Sequence, residues 1–135
     1  MSLRHSLRTF SFTSFKKNRS DKAAFMTPGM STFFQMMAEV LAEIDIFKLF
    51  TLDIESGPAA AVICFDYRSC RYLYNNAYNE RYAALSVGYL SKVLSIRDAI
   101  ESGLMTYDFL KGGEAYKQRL GGRSLPLYRC RVTLN

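Results

Sequence analysis

The chain has 135 residues, 49% of them hydrophobic and 22% charged, and this balance predicts one folded domain rather than a disordered segment. The net charge of +6 favours an anionic partner such as a phosphate-bearing ligand, although a solvated basic face would give the same charge. We expect a cytoplasmic protein, because no membrane-length apolar run or secretory signal is seen and the three cysteines lack metal or redox spacing.

The N-terminal residues show no regular pattern. Residues 1–24 are basic and rich in serine, and Phe10, Phe12 and Phe15 lie there without a matching core pattern. We therefore expect an irregular segment at 1–24 and the folded domain at 25–135.

A helix is predicted after the loop-forming stretch 27–29, which contains Pro-Gly. Ser31 or Thr32 can cap this helix, and its apolar residues recur at steps of three and four as far as about Glu43. The apolar stripe is wide, so we expect the helix to be largely buried.

Three strands are predicted next, at residues 46–54, 59–67 and 70–77. Hairpin-length loops join them into an antiparallel meander. The middle strand is nearly all apolar, which indicates that both of its faces are covered. Asp66 in this strand would need a partner if buried, and either Arg68 or Arg71 could serve.

The rest of the chain alternates between helices and strands. A helix predicted at 89–102 ends at Gly103, and the strand at 106–110 can lie parallel to the strand that precedes the helix. A short helix at 115–120 and a last strand at 125–134 follow. This order predicts an α+β fold, with a mainly antiparallel sheet flanked by helices.

Several short stretches of the sequence, taken in order, resemble one family. They are AAVICFDY at 60–67, YLYN at 72–75, YNERY at 78–82, LSVG at 85–88, IRDAIESG at 96–103 and YDFLKGGEAYK at 107–117. Their order and spacing resemble the C-terminal half of the GNAT-related acyltransferases. More narrowly, the chain resembles the BioF2-like/CelD-like acetyltransferase group, which is related to the Fem aminoacyl ligases.

The resemblance implies a GNAT-like fold, present as a partial domain, that moves an acyl group from acyl-CoA to an amine or hydroxyl. The acceptor would be a small molecule or a glycan, and the resemblance implies a role in cell-envelope or polysaccharide synthesis. Acyl-CoA would be a co-substrate, and no tightly bound cofactor is expected. Two features depart from the family: full members carry a preceding lobe, and the glycine-rich pyrophosphate loop of ordinary GNAT enzymes is absent.

These departures leave two alternatives open. One is a non-catalytic GNAT-like module that associates with itself or a partner, since a homodimer would cover what a missing lobe leaves exposed. The other is a fragment of an aminoacyl-tRNA-dependent ligase, with the basic ends on RNA phosphates. We expect no membrane partner, and no nucleic-acid motif supports a dedicated binder.

The donor site is predicted at Ser86, Val87, Gly88 and Tyr89, where the chain enters a helix. A helix N-terminus offers unpaired N–H groups and a partial positive charge, so it can hold a phosphate. In GNAT-like folds the donor's pyrophosphate is expected at this place. An ordinary helix cap is the alternative reading of the same residues.

The catalytic candidates are Lys117, Tyr116 and Asp108. The Fem relatives have a similar aromatic-lysine pair, and an ammonium there would stabilise the oxyanion formed when the acceptor attacks. Asp108 could accept a proton from the acceptor, or it could bind the backbone of the glycine pair at 112–113. A surface lysine beside a packed tyrosine is the structural alternative for the pair.

The acceptor is predicted to contact Tyr78, Tyr82 and Gly112, although tyrosines at such spacing also serve as core packing. The single histidine, His5, lies in the irregular N-terminal segment. A histidine-based catalytic triad and a metal site are therefore not expected.

Overall fold

The structure, a computed structural model, describes residues 2–5, 28–54 and 57–134. It confirms the α+β class with a mixed, mostly antiparallel sheet. The strands are β1 (Ser2–His5), β2 (Phe47–Ile54), β3 (Gly57–Tyr67), β4 (Cys70–Tyr78) and β5 (Thr106–Asp108). The helices are α1 (Pro28–Glu43), α2 (Val87–Glu101) and α3 (Ala115–Arg119), with a 3-10 helix at Glu80–Leu85.

The sheet has the strand order β1-β2-β3-β4-β5, and each pair is antiparallel except β4 with β5. The predicted parallel pairing of β5 is therefore confirmed. It involves only the first three residues of β4, since Cys70 lies opposite Thr106 and Tyr72 lies opposite Asp108. Beyond this point β4 continues without a described strand on that side.

Alternate residues of β3 face two different helices, which explains why the strand is apolar throughout. Ala61 and Ile63 belong to a cluster that packs against α1, whereas Ala60 belongs to a cluster that packs against α2. Residues 59–64 are all buried. The prediction that both faces of this strand are covered is confirmed.

A buried arginine ties α2 to the sheet. Arg71 is only 1% exposed, and it binds both carboxylate oxygens of Asp66 at 2.7 and 2.6 Å. Its Nη1 donates to Asp98 at 2.7 Å and to the Ser95 carbonyl at 3.0 Å, and both of these residues lie in α2. Burial alone would lower the pKa of Arg71, but its bonds to the two carboxylates raise that pKa above the ordinary value. Of the two partners predicted for Asp66, the structure selects Arg71.

The predicted start and burial of α1 are wrong. The helix begins at Pro28 rather than after the Pro-Gly stretch, because proline fits the first turn of a helix. No residue of α1 is buried, and Phe33 and Met36 are 55% and 62% exposed. Only a narrow part of the apolar stripe of α1, which includes Leu41, packs on the sheet. The described residues leave the rest of this stripe uncovered.

The two ends of the chain also differ from the predictions. Residues 2–5 form β1, paired with β2, although 1–24 were predicted to be irregular. Phe10, Phe12 and Phe15 lie outside the described residues. The strand predicted at 125–134 is not formed: no strand among the described residues pairs with it, and Leu125 and Leu127 are 83% and 85% exposed. Within the described residues, no helix is long and apolar enough to cross a bilayer.

The arginine that ties α2 to the sheet gives a direct test of this packing. We expect Arg71→Met to lower the free energy of unfolding by about 3–5 kcal/mol, because it leaves the half-buried Asp66 without its cation. The matched control is Arg97→Met, since Arg97 pairs with Glu101 on the exposed face of α2 and its loss should cost less than about 1 kcal/mol. Urea unfolding monitored by circular dichroism measures both changes, and equal costs would contradict the assignment.

Candidate functional site

A cleft of about 260 Å³ opens where β4, α2 and α3 meet. This volume is slightly below the roughly 300–1,000 Å³ of typical ligand pockets, so the cleft can hold part of a larger ligand. Its walls come from the end of β4, the 3-10 helix, the first turns of α2 and the start of α3. The lining residues are Tyr78, Ala83, Ser86, Val87, Gly88, Tyr89, Lys92 and Tyr116.

The structure thus brings together all four residues predicted for the donor with Tyr78 and Tyr116. Ser86 adopts a left-handed conformation (φ 51°), and its side chain makes no capping hydrogen bond. The first amides of a helix have no partner within that helix, and among the described residues neither Val87 nor Gly88 donates from its amide to a loop carbonyl. The first turn of α2 therefore presents backbone donors and the positive end of its dipole to the cleft.

Gly88 allows an aromatic ring to lie directly on α2. A Cβ atom at this position would come within 2.8 Å of Cδ1 of Tyr78. Any larger residue would displace the Tyr78 ring, which lines the cleft and is 44% exposed. The single glycine is therefore required by close packing at the wall of the cleft.

Lys92 is a cleft residue that the sequence reasoning missed. It is 5% exposed, its Nζ donates to the Gly88 carbonyl at 2.6 Å, and this atom lies 4.7 Å from the centroid of the Tyr116 ring. Burial lowers the pKa of Lys92 to about 8. The sequence does contain a feature that indicates this residue. Gly88, Ser91 and Ser95 are small and mark the packed face of α2, and Lys92 lies beside that face.

Tyr116 faces Lys92 from α3. Its ring also packs edge-on against Phe109, with the two centroids 6.2 Å apart. Burial and the nearby charge of Glu114 raise the pKa of Tyr116, so its hydroxyl keeps its proton at neutral pH. A protonated phenol beside a cleft can donate a hydrogen bond to a group that becomes negative.

Lys117 points away from this cleft and into the loop before α3. Its ammonium donates to the carbonyls of Leu110, Lys111 and Gly112 at 3.1–3.2 Å and pairs with Glu114 at 2.8 Å. An ammonium has three hydrogens, so these contacts use all of them. The catalytic role of Lys117 stays a prediction, and its contacts favour a structural role in the loop.

The other predicted residues also lie away from the cleft. Asp108 accepts a hydrogen bond from the amide of Leu110 at 2.7 Å, rather than from the glycine pair. Gly112 has φ +130°, a backbone conformation that residues with a side chain rarely adopt, so the loop itself favours glycine there. Tyr82 packs against the cluster that includes Val87. The chemical roles given to these three residues stay predictions.

No metal centre is built from the side chains that the structure describes, because these contain no group of three or more potential ligands. Cys64 is buried beneath α2, where its sulphur lies 3.6 Å from Oγ of Ser95. Burial raises the pKa of Cys64 to about 11, so the thiol is a poor nucleophile at neutral pH. The cleft therefore offers hydrogen-bond donors and one cation.

The lowered pKa of Lys92 makes stability depend on pH. Because the folded pKa is below the unfolded value, the charged lysine destabilises the fold below pH 8, and this cost disappears as the pH rises through 10.5. We expect Lys92→Met to be more stable than the parent at pH 7 by roughly 1–3 kcal/mol. The advantage should shrink steadily between pH 8 and pH 10 in urea unfolding curves, and a constant difference would contradict the lowered pKa.

The fold is similar to those of solved acetyltransferases. A putative acetyltransferase (YycN) from Bacillus subtilis has a TM-score of 0.56 and 12% identity, over 85% of this chain and 83% of that chain. An aminoglycoside acetyltransferase, meta-AAC0020, from an uncultured soil metagenomic sample in complex with sisomicin has a TM-score of 0.53 and 15% identity, over 85% and 84%. Its complex with trehalose gives 0.52 and 15%, over 84% and 83%. At these identities the likeness shows the fold alone.

No curated protein matches the sequence closely enough to be called a relative. The family described as "Acetyltransferase (GNAT) domain" does match, over residues 5–118. This range includes β2 to β5, α1, α2 and the whole lining of the cleft. The chain therefore belongs to the GNAT acetyltransferase family.

Proposed function

We propose that the chain transfers an acyl group from acyl-CoA to an amine or hydroxyl of a small-molecule or glycan acceptor. The observation that carries this proposal is the cleft at the first turn of α2, where Val87 and Gly88 line the space beside β4 and the helix N-terminus offers amide donors. Acyl-CoA is the co-substrate of the family. Its phosphates would bind these donors, because the N-terminus of a helix attracts anions.

The reaction requires no covalent intermediate on the enzyme. The acceptor nitrogen or oxygen attacks the thioester carbonyl, a C–N or C–O bond forms, the C–S bond breaks, and the CoA thiolate takes up a proton. Tyr116 is the candidate to stabilise the developing charge, since its hydroxyl stays protonated at the edge of the cleft. In this proposal Lys117 holds the loop that positions Tyr116, and Asp108 supports the same loop or the acceptor.

The finer placement of the chain rests on the resemblance described for its sequence. We propose the BioF2-like/CelD-like group on that basis, and with it a setting in cell-envelope or polysaccharide synthesis. The predicted contacts of Tyr78 with the acceptor fit the structure best, because Tyr78 lines the cleft and is 44% exposed. For Tyr82 and Gly112, an acceptor role would require a ligand that extends beyond the cleft.

A second candidate function is self-association without catalysis. The observation that favours it is the outer face of α1, where Phe33, Met36 and Val40 are 55%, 62% and 61% exposed. Apolar side chains three and four residues apart form a continuous stripe on a helix. A homodimer that packs this stripe against its counterpart would remove it from water.

Acetyl-CoA binding separates the two candidates. A ligand present at about 100 times its dissociation constant adds about 2.7 kcal/mol of stability, so we expect acetyl-CoA to raise the melting temperature by several degrees. Gly88→Ala should weaken this effect, because the new methyl group displaces Tyr78 into the cleft at a cost of about 1 kcal/mol, or roughly fivefold in affinity.

The control is Gly29→Ala, since a Cβ at Gly29 meets no atom within 4 Å and the residue lies in the first turn of α1. It should bind acetyl-CoA like the parent. Absence of any shift with acetyl-CoA or longer acyl-CoA, together with a stable dimer in light scattering, would favour the non-catalytic module. Equal shifts for the parent and both variants would contradict the proposed donor site.

A further inference from the structure

Lys92 carries a buried charge that no described residue neutralises. Its side chain is 5% exposed, and no carboxylate of the described residues lies within ion-pair distance. One hydrogen of the ammonium goes to the Gly88 carbonyl, and the Tyr116 ring covers another side. A carbonyl and an aromatic ring replace only part of the hydration of an ammonium group. The buried charge therefore lowers the stability of the folded protein.

The position of the Lys92 ammonium indicates which kind of ligand would offset this loss of stability. Lys92 lines the same cleft as Val87 and Gly88, the first two residues of α2. The ammonium and the start of the α2 dipole are therefore two separate sources of positive potential facing one space. Phosphate oxygens accept hydrogen bonds from both kinds of donor.

The sequence strengthens this reading. Between β4 and α2 the chain reads NERYAALSVG, with glycine only at position 88, and so lacks a glycine-rich loop that could surround a phosphate with amides. Fewer backbone donors can converge on a ligand here, because a short 3-10 helix occupies Glu80–Leu85. A side-chain cation is the remaining source of charge that the described residues bring to the cleft.

We propose that Lys92 determines the affinity of the cleft for phosphate-bearing ligands, by donating a charge-assisted hydrogen bond to a phosphate group. The cleft would then bind a phosphate through one buried side chain and the first turn of a helix. That this phosphate belongs to acyl-CoA rests on the proposed function.

A pH dependence of binding follows from the surroundings of Lys92. The other titratable groups that line the cleft are tyrosines: Tyr116 from α3, whose ring lies against Lys92, Tyr78 from β4 and Tyr89 from α2. Burial lowers the pKa of Lys92 to about 8, so the free protein loses this charge between pH 7 and pH 9. A bound phosphate favours the charged form, and the affinity should therefore fall roughly tenfold over this interval.

Calorimetric titration with acetyl-CoA at pH 7, 8 and 9 tests the inference on the parent, Lys92→Met and Lys92→Arg. Acetyl-CoA is suitable because its thiol is blocked and its phosphates are ionised above a pKa of about 6. We expect Lys92→Met to bind roughly tenfold or more weakly at pH 7, with no fall towards pH 9. Lys92→Arg should keep its affinity at pH 9, because arginine stays charged.

A second probe, inorganic pyrophosphate, separates this inference from the proposed function. If pyrophosphate binds with the same dependence on Lys92 and pH while acetyl-CoA does not bind, the phosphate site stands and the proposed function fails. If acetyl-CoA binds the parent and Lys92→Met equally, the inference is overturned and the proposed function stands. Failure of both probes to bind the parent overturns both. Since Lys92→Met is expected to be the more stable protein, weaker binding would not reflect unfolding.

Discussion

The buried ion pairs of Arg71 determine where α2 lies, and the position of α2 in turn determines where the cleft forms. One guanidinium joins Asp66 in β3 to Asp98 and the Ser95 carbonyl in α2, and it also lies 4.8 Å from the centroid of the Phe50 ring. A charge held this deeply tolerates few arrangements, because every lost bond leaves a buried group unpaired. The first turn of α2 is therefore fixed beside the end of β4, at the point where β4 has already parted from β5.

The two buried lysines differ in how many partners their ammonium groups have, and this difference distinguishes a structural residue from a residue of the binding site. Lys117 uses its hydrogens on three loop carbonyls and has Glu114 as an anionic partner. Lys92 has one carbonyl and one ring, and the pKa of Lys92 is lowered to about 8 by burial. The family resemblance directs attention to Lys117, whereas the described contacts direct it to Lys92. The fold keeps Lys92 at a cost to stability, which is expected of a residue that binds a ligand.

Local chemistry decided which parts of the fold could be predicted from the sequence. The continuous apolar run of β3, the glycine at the end of α2 (Gly103, φ +75°) and the need of Asp66 for an arginine are all properties of neighbouring residues. The predictions of a strand at 125–134 and of a buried α1 were wrong because each depends on a partner surface. The periodicity of the sequence does not reveal such a surface. The small residues of α2 mark only the packed face beside Lys92; its contact with Tyr116 could not be predicted, because Tyr116 comes 24 residues later in the chain.

The central claim is that the first turn of α2 and the cleft beside it form the ligand site. The most direct measurement is the change in backbone amide chemical shifts when acetyl-CoA is added to ¹⁵N-labelled protein. The account predicts the largest changes at Val87, Gly88 and Tyr89, whose amides lie at or beside the cleft. Changes confined to the loop at 111–113 or to α1, with those three amides unmoved, would contradict it.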